Sequence, residues 1–285
     1  IYEFPHVAVS TLAYQYTRKP PKLVKPRENV IVRLCSIECN FAEPLTHDSN
    51  RTFRDDIVGW SKICNRVYIW DYTTDFRHYV QPHPNYYILG DNIRFFVEHG
   101  VRGIFEQGAY QSYGSEMAEM RAWVLAKLLW DPYQDDHALI REFLDGYFGH
   151  AAPHIDAHLK SVVASAKAAD ASIGCFSGHD AAFLTADLLL ASARTLEAAA
   201  LAVEGVEDLA ARVAVAKLPV SYVTLLRWDE LRARADETGQ AWLLPDDRGE
   251  AFDAFAEVYE ANGMTHLAEH NRDLEWLRAE CSAGE

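Results

Sequence analysis

The chain has 285 residues, 49% of them apolar, 12% aromatic and 24% charged, the balance of a folded globular chain and not of a disordered, fibrous or membrane-embedded one. A formal net charge of -15 counts against a nucleic-acid partner, because phosphate binding needs a basic surface. That charge is unevenly placed: residues 1–133 carry 15 basic and 15 acidic side chains, which leaves 12 of the 27 basic and 27 of the 42 acidic ones for residues 134–285. Eleven of the 14 tyrosines precede residue 134. Two differently built regions follow from this asymmetry, 1–133 and 134–285.

The chain opens Ile1-Tyr-Glu3, with no initiator methionine, no leader pattern and no window of about 18 uncharged apolar residues, so it reads as a piece of a longer polypeptide without a membrane span. The first β-rich run is 7–13, and Lys19-Pro-Pro-Lys22 with Lys25-Pro26 then bars a long helix. Val30-Ile-Val-Arg-Leu-Cys35 is the second run. A helical pattern over 52–64 puts Phe53, Ile57, Trp60 and Ile63 on one stripe. Arg66-Val-Tyr-Ile-Trp70 is the third strand, and 92–99 a helix closed by Gly100, a residue suited to a left-handed cap. Gly103-Ile-Phe-Glu106 is the fourth strand. Ser115 is the expected N-cap of a helix running to Trp130, with Met117, Met120, Val124 and Leu128 as its apolar face.

Strands starting near 30, 66 and 103 repeat a βα unit and imply a parallel sheet, either open and doubly wound or part of a (β/α)8 barrel. No Gly-x-Gly-x-x-Gly or phosphate-binding loop follows a strand, which favours the barrel segment. From residue 135 the patterns are helical: 135–148, 153–170, 180–203, 207–237, 247–261 and 265–280, with Pro219 expected to kink or divide the fourth of these. The expected fold is thus α/β, the C-terminal half of a barrel followed by an all-α domain whose acidity is a solvated outer surface.

In parallel βα architectures the strands' carboxyl ends carry the functional groups. Three strands end in an acid: Glu38, Asp71 and Glu106. Around them stand Asn40, Trp70, Tyr72, Asp75, Arg77, His78, Gln107 and Tyr110 as candidate substrate contacts. Convergent carboxylates with flat rings suit sugar chemistry, since carboxylates move protons and offset oxocarbenium-like charge while rings stack on pyranose faces. The plainer readings are a loop salt bridge with a surface histidine for Asp75, Arg77 and His78, and barrel packing for Trp70. Glu38 and Glu106 are the expected acid, base or nucleophile, and Asp71 an orienting group.

Other chemistries find less support. Five scattered cysteines without a Cys-x-x-Cys pair argue neither a disulfide framework nor zinc, and Cys35 and Cys39 read as small buried groups. His150, His154 and His158 recur at helical spacing as an expected exposed row, not a metal site. No serine-hydrolase elbow or His-Glu-x-x-His occurs, and no cofactor or metal is implied.

Leu12-Ala-Tyr-Gln-Tyr-Thr-Arg-Lys-Pro-Pro21, Val32-Arg-Leu-Cys-Ser-Ile-Glu-Cys39, Tyr68-Ile-Trp-Asp-Tyr-Thr-Thr-Asp-Phe76 and Gly103-Ile-Phe-Glu-Gln-Gly108 resemble an uncharacterised bacterial family of the glycoside hydrolase TIM-barrel superfamily. Its distant relatives include α-glucuronidases and β-N-acetylhexosaminidases. The resemblance covers about 1–133 and implies the last four strands of an eight-stranded barrel, with part of any catalytic pair upstream. A glycosidase is the first expectation, with carbohydrate as the partner; a non-catalytic carbohydrate-binding barrel is its rival, and a helical assembly module a third.

Overall fold

The structure is a computed structural model that describes residue 4, residues 6–270 and residues 272–282. Four strands form one parallel sheet in the sequential order β1 (Val9–Ala13), β2 (Val30–Cys35), β3 (Val67–Tyr72) and β4 (Gly103–Gln107). The register pairs Ala13 with Leu34, Leu34 with Ile69, Ile69 with Ile104, and Asp71 with Glu106. The proline-rich link between β1 and β2 holds one short 3-10 turn, Gln15–Thr17. Helices α1 (Arg51–Ser61), α2 (Leu89–Glu98) and α3 (Ala118–Trp130) follow β2, β3 and β4. Gly100 has a φ of 74°, the left-handed conformation its place after α2 requires.

The sheet's two faces differ because side chains alternate along each strand. Val32, Leu34, Val67 and Ile69 are almost wholly buried on the side covered by the helices, where Phe53 and Ile57 of α1 and Ile93 and Phe96 of α2 complete the core. The opposite side shows Leu12 at 49% exposure and Phe105 at 48%, with Arg33, Tyr68 and Trp70 half-buried between them. Gly103 is a glycine for a steric reason on that face: a Cβ there would lie 2.4 Å from the Tyr68 ring.

The remaining helices are α4 (Asp136–Phe148), α5 (Ala152–Ala168), α6 (Ala186–Ala202), α7 (Glu207–Leu226), α8 (Trp228–Thr238), α9 (Arg248–Ala261) and α10 (Leu274–Ser282). Asp135, Thr185 and Asp247 cap α4, α6 and α9 by accepting backbone N–H groups. By length and composition α7 is a helix able to cross a membrane, which the sequence reading found nowhere; it packs between α6 and α9 with Val213, Leu218, Tyr222 and Leu225 buried, the setting of a core helix.

Three local expectations are corrected. Ser115 does not cap α3: Glu116 is drawn inward to Arg121, so the chain turns through a left-handed Met117 and the helix starts at Ala118. Pro219 lies inside α7, and the break falls at Arg227, whose φ of -123° leaves the helical range and whose guanidinium is held by the Leu184 carbonyl and Glu230. His150, His154 and His158 form no exposed row, since His158 is buried, bonds Ser192 at 3.0 Å, and is pushed down to about 4 by desolvation.

Candidate functional site

Alternation divides the acids chosen from the sequence. Asp71 and Glu106 are register partners on the helix-covered face, beside Leu89 and Asn92 of α2 and Leu125 of α3. Ser36 donates its hydroxyl to Asp71 Oδ1, which also accepts the Tyr72 N–H at 2.9 Å. Desolvation raises Asp71 above the usual carboxylate range against the pull of those two bonds. Glu106 is raised further, by desolvation first and by the Asp71 charge second. Two neighbouring carboxyls in such a setting resist ionising together. Glu106 also lines a cavity of about 350 Å³ with Thr73, Tyr113, Ser115 and Arg121.

Glu38 stands apart from this pair. Its side chain is 51% exposed and accepts from Arg18 Nη1 at 2.7 Å, while Arg18 Nε bonds the buried Asp56 at 2.7 Å. Glu38 is therefore a water-facing carboxylate beside a fixed guanidinium. The expectation that three strand-end acids converge does not hold, because 71 and 106 have the parity of the covered face.

The other face collects the aromatic candidates. Trp70 Nε1 donates to Gln107 Oε1 at 2.6 Å, Phe105 meets the Trp70 ring edge-on at 5.0 Å, and the Arg33 guanidinium lies 5.7 Å from the same ring. At the strand ends Tyr72 packs edge-on against Phe41 and Phe76. Burial, then Cys35 and Tyr14, raises its phenol well above the ordinary value. Tyr14, the residue after β1, is raised by burial and then by Cys35, Cys175, Glu38 and Glu269. The groups after β1, β2 and β3 thus share one mouth, and Tyr110, exposed in the loop after β4, extends it.

Several candidates turn out to brace loops. Asn40 is buried, with Oδ1 accepting from Ala42 N at 3.1 Å and Ile173 N at 2.9 Å. Asp75 is fully buried: it accepts the Arg77 and His78 backbone N–H groups and the Gln81 amide. Desolvation pushes Asp75 up to about 7. His78 is not at the surface. Its Nδ1 lies 2.7 Å from the Tyr222 hydroxyl, its Nε2 has no partner among the described residues, and desolvation lowers it to about 3. Of this trio only Arg77 is exposed.

Two segments of the helical region reach these loops. In residues 173–175, the Ile173 and Cys175 carbonyls accept from Phe41 N and Phe76 N at 2.7 Å each. In residues 264–270, Thr265 N donates to Ser112 Oγ at 3.0 Å, the Leu267 carbonyl accepts from Tyr79 N at 2.7 Å, and Glu269 N donates to the Phe76 carbonyl at 2.8 Å. Sequence reasoning passed over Tyr14, Cys175 and Glu269. Tyr14 obeys the strand-end rule and was open to it, whereas nothing in the order of residues ties 175 or 269 to the sheet.

A family model described as a domain of unknown function (DUF4838) matches residues 1–160, taking in the sheet, α1–α4 and the first half of α5. No curated protein and no solved structure matches the chain.

Proposed function

The chain belongs to the DUF4838 family, a domain of unknown function, and from that premise we propose that it acts on carbohydrate at the carboxyl ends of β1–β4, as a glycoside hydrolase-type protein on a barrel scaffold. The observation that carries the reading is the strand-end mouth, where Glu38 and Tyr72 lie near Tyr14, on a sheet face that also carries the Trp70 and Gln107 pair. Rings offer flat apolar surfaces to pyranose faces, and phenols and the amide suit hydroxyl groups. Glu38, ion-paired with Arg18 and half-exposed, is the group to take a proton or offset oxocarbenium-like charge. Glu106, its carboxyl raised by desolvation and then by the Asp71 charge, is the acid that lines a cavity. Exposed Arg77 has the planar fork that a uronic acid carboxylate pairs with.

Strand order supports the barrel. With right-handed crossovers, parallel strands in sequential order put every connecting helix on one face, as a barrel needs, while a doubly wound sheet reverses its order. The uncovered Leu12 and Phe105 side fits the inner wall of such a barrel. In this reading residues 1–133 are its second half and residues 134–285 a helical domain.

In turnover of soluble plant and bacterial oligosaccharides by this chain, Glu38→Gln or Glu106→Gln is expected to lower the rate at least about 100-fold with the fold retained. Unchanged rates for both overturn the hydrolytic roles. A non-catalytic carbohydrate-binding barrel is the second reading, favoured by the seating of Asp71 and Glu106 on the covered face away from Glu38. It predicts heats of binding without release of reducing ends.

A further inference from the structure

The proposed site has one half-exposed carboxylate at its mouth, Glu38, and the helical region supplies another, Glu269. Residues 264–270 follow α9 and the turn at Gly263 and run along the loops after β3 and β4. Both loops are tied to them. Thr265 bonds Ser112 Oγ and the Gln111 carbonyl, Tyr79 N bonds the Leu267 carbonyl, and Glu269 N bonds the Phe76 carbonyl. Met264 packs so closely on Gly114 that a Cβ there would lie 2.3 Å from its sulfur.

Glu269 is fixed by its backbone, and its carboxylate accepts a hydrogen bond from the exposed Tyr110 hydroxyl. Among the described residues it forms no ion pair, in contrast to Glu38, which is neutralised by Arg18. Its carboxylate stands by the hydroxyl ends of Tyr14, Tyr79 and Tyr110, raising all three phenols in addition to the effect of burial. It remains partly open to water. A carboxylate on a pinned backbone, set among phenols and without a cation, is placed to accept hydrogen bonds from the hydroxyls of a ligand.

We infer that residues 264–270 form a wall of the strand-end site and that Glu269 is its ligand-contacting carboxylate, a second mouth acid beside Glu38 and Tyr14 for a hydroxyl-rich glycan. This rests on the carbohydrate reading above. Under it, the helical region adds a second half-exposed carboxylate to the mouth from the far end of the chain.

The test uses the full chain with a panel of xylo-, cello-, chito- and uronic acid-containing oligosaccharides, read by calorimetry and by amide hydrogen exchange. For whichever probe binds the unaltered protein, Glu269→Gln and Glu269→Ala are expected to weaken binding at least about tenfold, with Glu257→Gln on the exposed side of α9 unchanged. The probe should also slow exchange in 264–270 along with 12–15, 36–40 and 108–112. Binding that survives both Glu269 variants, with exchange slowed only in the strand-end loops, overturns the inference and leaves the carbohydrate reading standing. If no member of the panel binds the unaltered protein, both fall. The exchange experiment needs no variant, so a Glu269 substitution that failed to fold would not shield the proposal.

Discussion

Two sets of carboxylates lie within a few residues of the same strand ends and meet different physical fates. Asp71, like Asp75 and Glu116, is buried among sheet, helices and loops, and half-buried Glu106 lies beside it; desolvation raises Asp71, Glu106 and Asp75. Glu116 stays paired with Arg121 at 2.7 Å. Glu38 and Glu269 reach water at the mouth, one held by a guanidinium and the other without a cation. Asp71 and Glu106 share the covered face by strand parity, whereas Glu38 lies in the turn after β2 and Glu269 between α9 and α10, so an acid near a strand end is a poor guide to the site until its face is known.

That contrast can be broken most forcefully at the buried ion pair. Arg121→Ala leaves Glu116 charged and unpaired at 3% exposure and frees the Asn85 and His83 oxygens it binds, so unfolding in urea should show a loss of about 3–5 kcal/mol. Asn40→Ala strands the buried Ala42 and Ile173 N–H groups and should cost about 1–3 kcal/mol, with faster exchange at 173–176. If it costs nothing, this tie between the helical region and the β2 loop is not a structural one.

The pH dependence sharpens the comparison further. Asp71 and Glu106 hold their protons more tightly in the folded chain than in the unfolded one. Their stabilising contribution is complete below about pH 4 and disappears as pH rises through their folded values. His78 and His83, lowered to about 3, have the opposite sign, since the unfolded chain binds their protons below about pH 6.5 and acid therefore destabilises. The Asp71→Asn, Glu106→Gln double variant removes only the first contribution. Relative to the unaltered chain its thermal stability should gain about 1 kcal/mol or more between pH 5 and pH 8, and an unchanged difference would mean that both acids are ionised in the fold. The smallest effect belongs to the mouth: Glu38→Gln loses a half-exposed ion pair and should alter stability by about 0–1 kcal/mol in denaturant melts, whatever it does to carbohydrate turnover.

Much of the secondary structure is legible in the order of residues, because it rests on local physics. Val30–Cys35 is rich in β-branched side chains, Gly100 supplies a positive φ, and the stripe of Phe53, Ile57 and Trp60 turns one side of α1 into the core. Cys35 and Cys39 are buried free thiols, as their isolation in the sequence implies. The start of α3 was not legible, because it depends on Glu116 meeting Arg121 in a buried network with Tyr86. The loops bracing Asp75 and His78 were not legible either, since Tyr222 lies far along the chain and only packing brings it to His78.

By itself the sequence determined the parallel βα repeat, the helical remainder, and the gathering of tyrosine, tryptophan and carboxylates at strand ends, since each follows from short-range periodicity and from the rule that loops meet at the carboxyl ends of parallel strands. Tertiary structure alone decided which acids face water, which are desolvated, and that residues 173–175 and 264–270 join the loops at the strand ends. The reason is physical: burial and long-range contact are properties of packing across the whole chain, and neither the spacing nor the identity of nearby residues encodes them.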